Sequence, residues 1–245
     1  GEILLSAGTL ALAEGYIQVR AMGSRALKGL DPVQIYHLDG VITRKRIQAS
    51  AARGQTRFVG REHEIDTLRR AAAATLDGCG QLLALVGEAG VGKSRIFQEF
   101  IYSSEMAGWH VLEAGSASYG TATSYFSLVD LLTRYFDIQR QDDEHRVREK
   151  IIEKLSVSLK DNLLAQTPFY LGALGLAVNN DAWLNLPPVE RQSKMFAAIK
   201  GLLIRESQRQ PLCLVFEDLH WVDAETLAFL EILRESSGDE TILLL

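Results

Sequence analysis

Gly87-Glu88-Ala89-Gly90-Val91-Gly92-Lys93-Ser94 is the stretch that decides the fold of this 245-residue chain. It matches the P-loop pattern G-x-x-x-x-G-K-[ST] at every fixed position. The residues before it, Gln81-Leu82-Leu83-Ala84-Leu85-Val86, read as a short buried strand. Those after it, Arg95-Ile96-Phe97-Gln98-Glu99-Phe100-Ile101, carry helical apolar spacing, with Phe97, Phe100 and Ile101 on one face. Strand, glycine loop and helix is the order in which the motif works. The loop's backbone N–H groups converge on an anion, and the helix N-terminus adds roughly +0.5 charge. Lys93 supplies a mobile cation for the β- and γ-phosphates, and the Ser94 hydroxyl a ligand for Mg2+. Residues 87–94 are therefore expected to cradle a nucleoside triphosphate.

From Phe58 onward, helices and strands alternate. Residues 61–76 form an amphipathic helix (Ile65, Leu68, Leu76) stopped by Gly78. A second strand is expected around 110–113, a helical region at 125–136, and a charged helix at 143–160 with Val147, Ile151, Leu155 and Leu159 at i+4 spacing. Trp183, Leu184, Pro187 and Pro188 mark an irregular connection. A long helix at 189–208, a strand at 212–216, a helix at 224–235 and a strand at 241–245 follow. This alternation argues for a three-layer α/β/α sandwich around a mainly parallel sheet.

The strand Leu212-Cys213-Leu214-Val215-Phe216 runs into two acids, Glu217 and Asp218. Ligands of open α/β sheets bind at the carboxyl ends of the strands, so these acids would face the phosphates. One carboxylate is needed for Mg2+ and a second can polarise an attacking water. We assign Glu217 to the metal, with Ser94, and Asp218 to the water, although the first acid of this motif is usually Asp. The competing reading is that both acids cap the following turn. His220 either senses the γ-phosphate or is a hydrogen-bonded turn residue. Asp223 is expected to N-cap the next helix, and Trp221 to pack. His37, His63, His110 and His145 show no metal-ligand spacing, so no zinc is expected.

Residues 1–40 form a separate unit. Ser6 is a plausible N-cap for a helix over 7–14 that Gly15 would stop, and 16–19 and 33–38 are β-rich. A helix and a hairpin of this size cannot enclose a core alone, so the segment is expected to be the tail of another domain. Residues 41–57 hold Arg44, Lys45, Arg46, Arg53 and Arg57 with no acidic residue. A solvated linker explains them better than a nucleic-acid or lipid patch, because no aromatic residues are interleaved.

Composition narrows the rest. The chain is 47% hydrophobic with a net charge of −5, which gives no basic footprint for nucleic acid. Two cysteines, Cys79 and Cys213, are too few for a disulfide framework, and Cys213 reads as a small core residue. A reducing, cytoplasmic setting is the expectation, without membrane partners, since no apolar run approaches a membrane span and no signal peptide opens the chain. Gly1 in place of Met, and an apolar run to the last residue, suggest a piece of something larger.

Phe58-Val59-Gly60-Arg61-Glu62, then the glycine loop, then the string LVFEDLHWVD over 214–223 resemble the AAA/STAND class of regulatory ATPases, with its Walker A and Walker B motifs. More narrowly, they are similar to the origin-recognition-like ATPase module of large bacterial signalling proteins. The resemblance spans residues 58–245. It implies ATP and Mg2+ as ligands, and a V-G-R-E box around the adenine, which would place Val59, Gly60 and Arg61 near the base. It implies the strand order fifth, first, fourth, third, second, with a helical lid downstream. In that order the chain stops within the fourth strand, so the sensor, lid and arginine finger lie beyond it and the P-loop strand is an uncovered edge.

Residues 1–40 resemble the C-terminal end of a class III adenylate/guanylate cyclase domain. Gly1-Glu2-Ile3-Leu4-Leu5-Ser6, Gly23, Leu27-Lys28-Gly29-Leu30 and Pro32-Val33 match that family's closing helix and hairpin. Its catalytic aspartates, Asn and Arg would lie upstream of Gly1. The resemblances together imply an ATP-dependent, slowly hydrolysing switch in a multidomain signalling protein. Its partners would be ATP, other domains of the same chain and, on nucleotide binding, further copies of itself. A non-hydrolysing scaffold, a cyclase regulated by this module and, more weakly, a DNA-loading ATPase are the alternatives.

Overall fold

Contacts divide the chain into two units, Gly1–Arg61 and Glu62–Leu245. The structure is a computed structural model and describes residues 3–13, 17–25, 33–41, 58–116, 124–156, 162–236 and 240–245.

The first unit holds β1 (Leu4–Ser6), α1 (Ala7–Ala13), β2 (Ile17–Arg25) and β3 (Val33–Val41), with the strands antiparallel in the order β1-β3-β2. Ser6 Oγ accepts the Thr9 N–H at 3.2 Å, the N-cap expected from the sequence. β2 runs on to Arg25, further than expected. Its ladder shifts register between Ala21 and Gly23, where Gly23 adopts a φ of 83° that suits a bulge. Among the described residues of this unit only Ile35 is buried, as expected of a sheet too small for its own core. Gly1, Glu2, Gly15, Leu27 to Leu30, Pro32 and the basic stretch 42–57 lie outside the described residues.

In the second unit the strands are β4 (Gln81–Leu82), β5 (His110–Gly115), β6 (Leu212–Glu217) and β7 (Ile242–Leu244). They are parallel, in the order β4-β7-β6-β5. The last strand in the chain thus lies between the first and third, the crossover of a doubly wound sheet and the order implied by the resemblance. The helices are α2 (Glu62–Leu76), α3 (Lys93–Ile101), α4 (Phe126–Tyr135), α5 (Glu144–Ser156), α6 (Thr167–Ala173), α7 (Asp181–Leu184), α8 (Pro188–Arg209) and α9 (Ala224–Ser236).

Alternation along β6 shows how the layers form. Leu212, Leu214 and Phe216 join the large core with Leu128, Leu132, Ile199, Leu203 and Phe229, from α4, α8 and α9. Cys213 and Val215 point the other way and are fully buried too, so β6 is covered on both faces. The second face belongs to α2, which contacts β4, β7 and α3 and buries Ile65, Leu68 and Ala72. Burial pushes the Cys213 thiol up to about 12, which makes it an inert core residue.

Three expectations need correction. The strand expected over 81–86 is regular only at Gln81–Leu82, and it is not buried: Leu82 is 50% and Val86 93% exposed. Its described ladder partner is β7 alone, the edge position that the resemblance implied, and at an edge an apolar run does not guarantee burial. Trp183 and Leu184 are helical rather than irregular, because Asn180 Oδ1 accepts the Trp183 N–H and starts α7; Pro188 then opens α8 as an N-terminal proline. The helix α6, with Tyr170 at its buried centre, was not expected. The charged helix α5 ends at Ser156, and Leu159 lies outside the described residues.

Candidate functional site

Residues 87–94 link β4 to α3. Gly90 and Gly92 take φ values of 83° and 94°, a region closed to most side chains, so glycine there is a backbone requirement. At Gly87 a Cβ would come within 3.2 Å of Val91 Cγ2. Gly92 is the N-cap of α3 and provides no side chain to bond the first-turn amides. An uncapped helix start with exposed loop residues before it is suited to an anion. Lys93 Nζ donates to the carbonyls of Gly87 and Glu88, both at 2.8 Å. The ammonium is thus held inside the curl of the loop. Glu88, Ala89, Val91 and Gly92 are exposed along it, and Ser94 follows in the first turn of α3, half-buried.

Because all four strands are parallel, their carboxyl ends share one edge of the sheet. Gln81 is level with Leu243, and Leu243 with Cys213, so β4 and β6 run toward that edge side by side, and the glycine loop and Glu217 follow there. Two strand spacings separate β4 from β6, about 10 Å. Glu217 has the same parity as Cys213 and Val215, which puts it on the face covered by α2 and α3. That is the face carrying the P-loop helix. Glu217 is the last residue of β6, not a residue beyond it, and pairs with Gly115. Asp218 follows with φ 57° and ψ 46°, left-handed, and starts the 3-10 turn Leu219–Trp221 without a side-chain cap bond. The capping reading of Asp218 therefore has no hydrogen bond behind it. A non-glycine residue held in this region at a strand end is a recurrent feature of functional sites.

Asp223 is the cap expected from the sequence. Its Oδ1 accepts the Thr226 N–H at 2.9 Å and its Oδ2 the Thr226 hydroxyl at 2.6 Å. Burial pushes this carboxyl up, but the bonds from Thr226 and from the Tyr125 N–H outweigh it and hold it below the usual carboxylate range. His220 is exposed and its ring lies 4.9 Å from that of Trp221. Val59 and Gly60 are exposed and Arg61 half-buried; the contact division assigns them to the first unit.

Sequence reasoning missed the support behind the acids. Asp130 Oδ2 accepts the Gly115 N–H at 2.9 Å and Arg134 Nε at 3.0 Å, which fixes the end of β5 beside Glu217. Ser127, on the same helix, bonds Ser116 at 3.1 Å, and the Ser116 N–H reaches the Glu217 carbonyl at 3.3 Å. The i+4 pair of Asp130 with Arg134 was visible in the sequence; its strand partner was not. Among the described residues, no three His, Cys, Asp or Glu side chains gather as a metal cage. No helix among them is long and apolar enough to cross a membrane.

No curated protein and no solved structure matches the chain. The family model described as an AAA ATPase domain matches residues 57–245, the span that carries the glycine loop, the parallel sheet and both acids. On that match and this geometry, the chain belongs to the AAA ATPase domain family.

Proposed function

We propose that the chain is an ATP-binding, slowly hydrolysing regulatory module of the STAND type, part of a multidomain signalling protein. The observation that carries this reading is the uncapped start of α3, with Lys93 beside it, on the same sheet edge and face as Glu217. In this reading residues 87–94 hold the triphosphate, Lys93 meets the β- and γ-phosphates, and Ser94 and Glu217 are the magnesium ligands. When bound, Mg2+ supplies charge neutralisation at the phosphoryl oxygens. Asp218 accepts the proton of the attacking water, and Val59, Gly60 and Arg61 enclose the adenine. Nucleotide binding then shifts a domain or self-association equilibrium, which requires only unequal affinity for two states. The setting is cytoplasmic.

Residues 1–40 are proposed as the end of a class III cyclase domain, 41–57 as a linker and 58–245 as the ATPase domain. The antiparallel hairpin with its capped helix supports the first of these. The test is phosphate release from Mg-ATP by wild type and by Asp218→Asn. Release by wild type that is lost in the variant, with ATP still bound, supports the reading. Binding without release in either protein would make the module a scaffold.

A further inference from the structure

Asp223 does more than cap α9. It is 2% exposed, and its Oδ1 also accepts the Tyr125 N–H at 2.8 Å, from a residue 98 positions earlier in the chain. Ser124 Oγ adds a second link, to Glu225 Oε1 at 3.2 Å in the first turn of α9. Tyr125 is the N-cap of α4 and is itself left-handed, with φ 64°. Tyr125, which this carboxylate bonds, is one of three non-glycine residues with positive φ among those described; Asp218, five positions before Asp223, is another.

The connection to Asp218 runs through a short turn. The Trp221 N–H bonds the Asp218 carbonyl at 2.8 Å, and the Val222 N–H bonds the Leu219 carbonyl at 3.1 Å. At the other end Glu217 is in register with Gly115, which Asp130 holds. Asp218 is thus bracketed between a paired strand end and a turn that runs directly into a buried, triply bonded side chain. Left-handed backbone persists at a non-glycine residue only where its surroundings over-determine it. The bracket supplies that constraint.

We infer that Asp223 is a positioning residue for Asp218: by anchoring the 218–223 turn to the starts of both α9 and α4, it fixes the backbone that carries the acid. The inference rests on the proposed role of Asp218 in turnover. α4 also holds the end of β5 through Asp130, so the two strand ends beside the site are held by one helix.

The test uses the full chain with Asp223→Ser and Asp223→Asn. Serine keeps an oxygen for the Thr226 N–H, so α9 stays capped, but its single short hydroxyl does not also span to Tyr125. Without nucleotide, amide hydrogen exchange is expected to rise at both Tyr125 and Trp221 in Asp223→Ser. With Mg-ATP, kcat is expected to fall by about 10- to 100-fold, as for a misplaced catalytic group. The ATP dissociation constant should stay within about twofold, and Asp223→Asn should recover part of kcat.

Unchanged exchange at Trp221, or a kcat left at the wild-type value in Asp223→Ser while exchange at both amides rises, would overturn the inference. Faster exchange at both amides in a chain whose wild type shows no turnover would instead sustain the anchoring and overturn the hydrolytic reading.

Discussion

Replacing Asp218 separates its backbone from its carboxylate. The residue sits at φ 57° and ψ 46°, is exposed, and makes no side-chain cap bond. For an L-residue this conformation costs about 1–2 kcal/mol, less for Asp and Asn, whose short polar side chains tolerate it. Glycine removes that strain but gives back about 0.5–1 kcal/mol through the freedom of the unfolded chain. Asp218→Gly is therefore expected to leave stability unchanged or raise it by up to about 1 kcal/mol. Asp218→Asn should be neutral, and Asp218→Ala should lose about 1 kcal/mol. For a unit of this size each kcal/mol moves the melting midpoint by about 2–4 °C. Differential scanning calorimetry gives the ranking, and phosphate release gives the function. The prediction is a stability order of Gly at or above Asn, above Ala, with turnover lost in all three. If Asp218→Gly were destabilised by more than about 1 kcal/mol, the side chain would have a structural partner and the strain argument would fail. Turnover retained in Asp218→Asn would remove the proton-accepting role.

Two further predictions concern the body of the domain. Glu206 is buried with His110, Tyr135 and Arg209 around it. The His110 ring lowers its carboxyl most; burial opposes this, and the Tyr135 hydroxyl and Arg209 add to the lowering. A depressed carboxyl stabilises the fold above the unfolded value near 4.5, and that contribution is lost as pH falls through the folded value. The stabilities of wild type and Glu206→Gln in thermal melts, separated at neutral pH by about 1–3 kcal/mol, should converge in acid below that value; a gap that stays constant would mean that the charge is irrelevant. At Gly172 a Cβ would overlap the Trp183 ring, which packs edge-on against Phe169 and beneath Arg191. Gly172→Ala should cost about 1–3 kcal/mol in denaturant melts and leave ATP affinity unchanged. A neutral result would show that the ring can move aside.

The nucleotide-binding half of the site was legible because its chemistry is local. Eight consecutive residues specify the loop, and the apolar run 212–216 read as a strand, which the structure buries on both faces. Its alternation then separates Glu217 from Phe216, which shares its face with the main core. What the sequence did not show is non-local. The edge position of β4 followed from the strand order that the resemblance implied, but nothing in the run Leu82 to Val86 showed how short the regular strand is or how exposed its residues are. Asp223 reads as a helix cap; its bond to Tyr125 depends on how α4 and α9 pack. Helix α6 was missed because seven residues, with a proline in the first turn and one glycine, carry too little periodicity to read. The ring of Tyr170 meets Phe136, and its hydroxyl donates to the Ala198 carbonyl at 3.1 Å.

The central claim is that residues 87–94 bind Mg-ATP through Lys93, and a thermal melt of the full chain with and without Mg-ATP tests it most directly. At a hundred times the dissociation constant a ligand of the folded state adds about 2.7 kcal/mol. That corresponds to a rise of about 5–10 °C here. Lys93 bonds only carbonyls of its own exposed loop, so Lys93→Ala should melt within a few degrees of wild type without nucleotide, at a cost of about 0–1 kcal/mol. The account predicts that the variant shows no rise when Mg-ATP is added. An equal rise in both proteins, or none in wild type at saturating Mg-ATP, would contradict it.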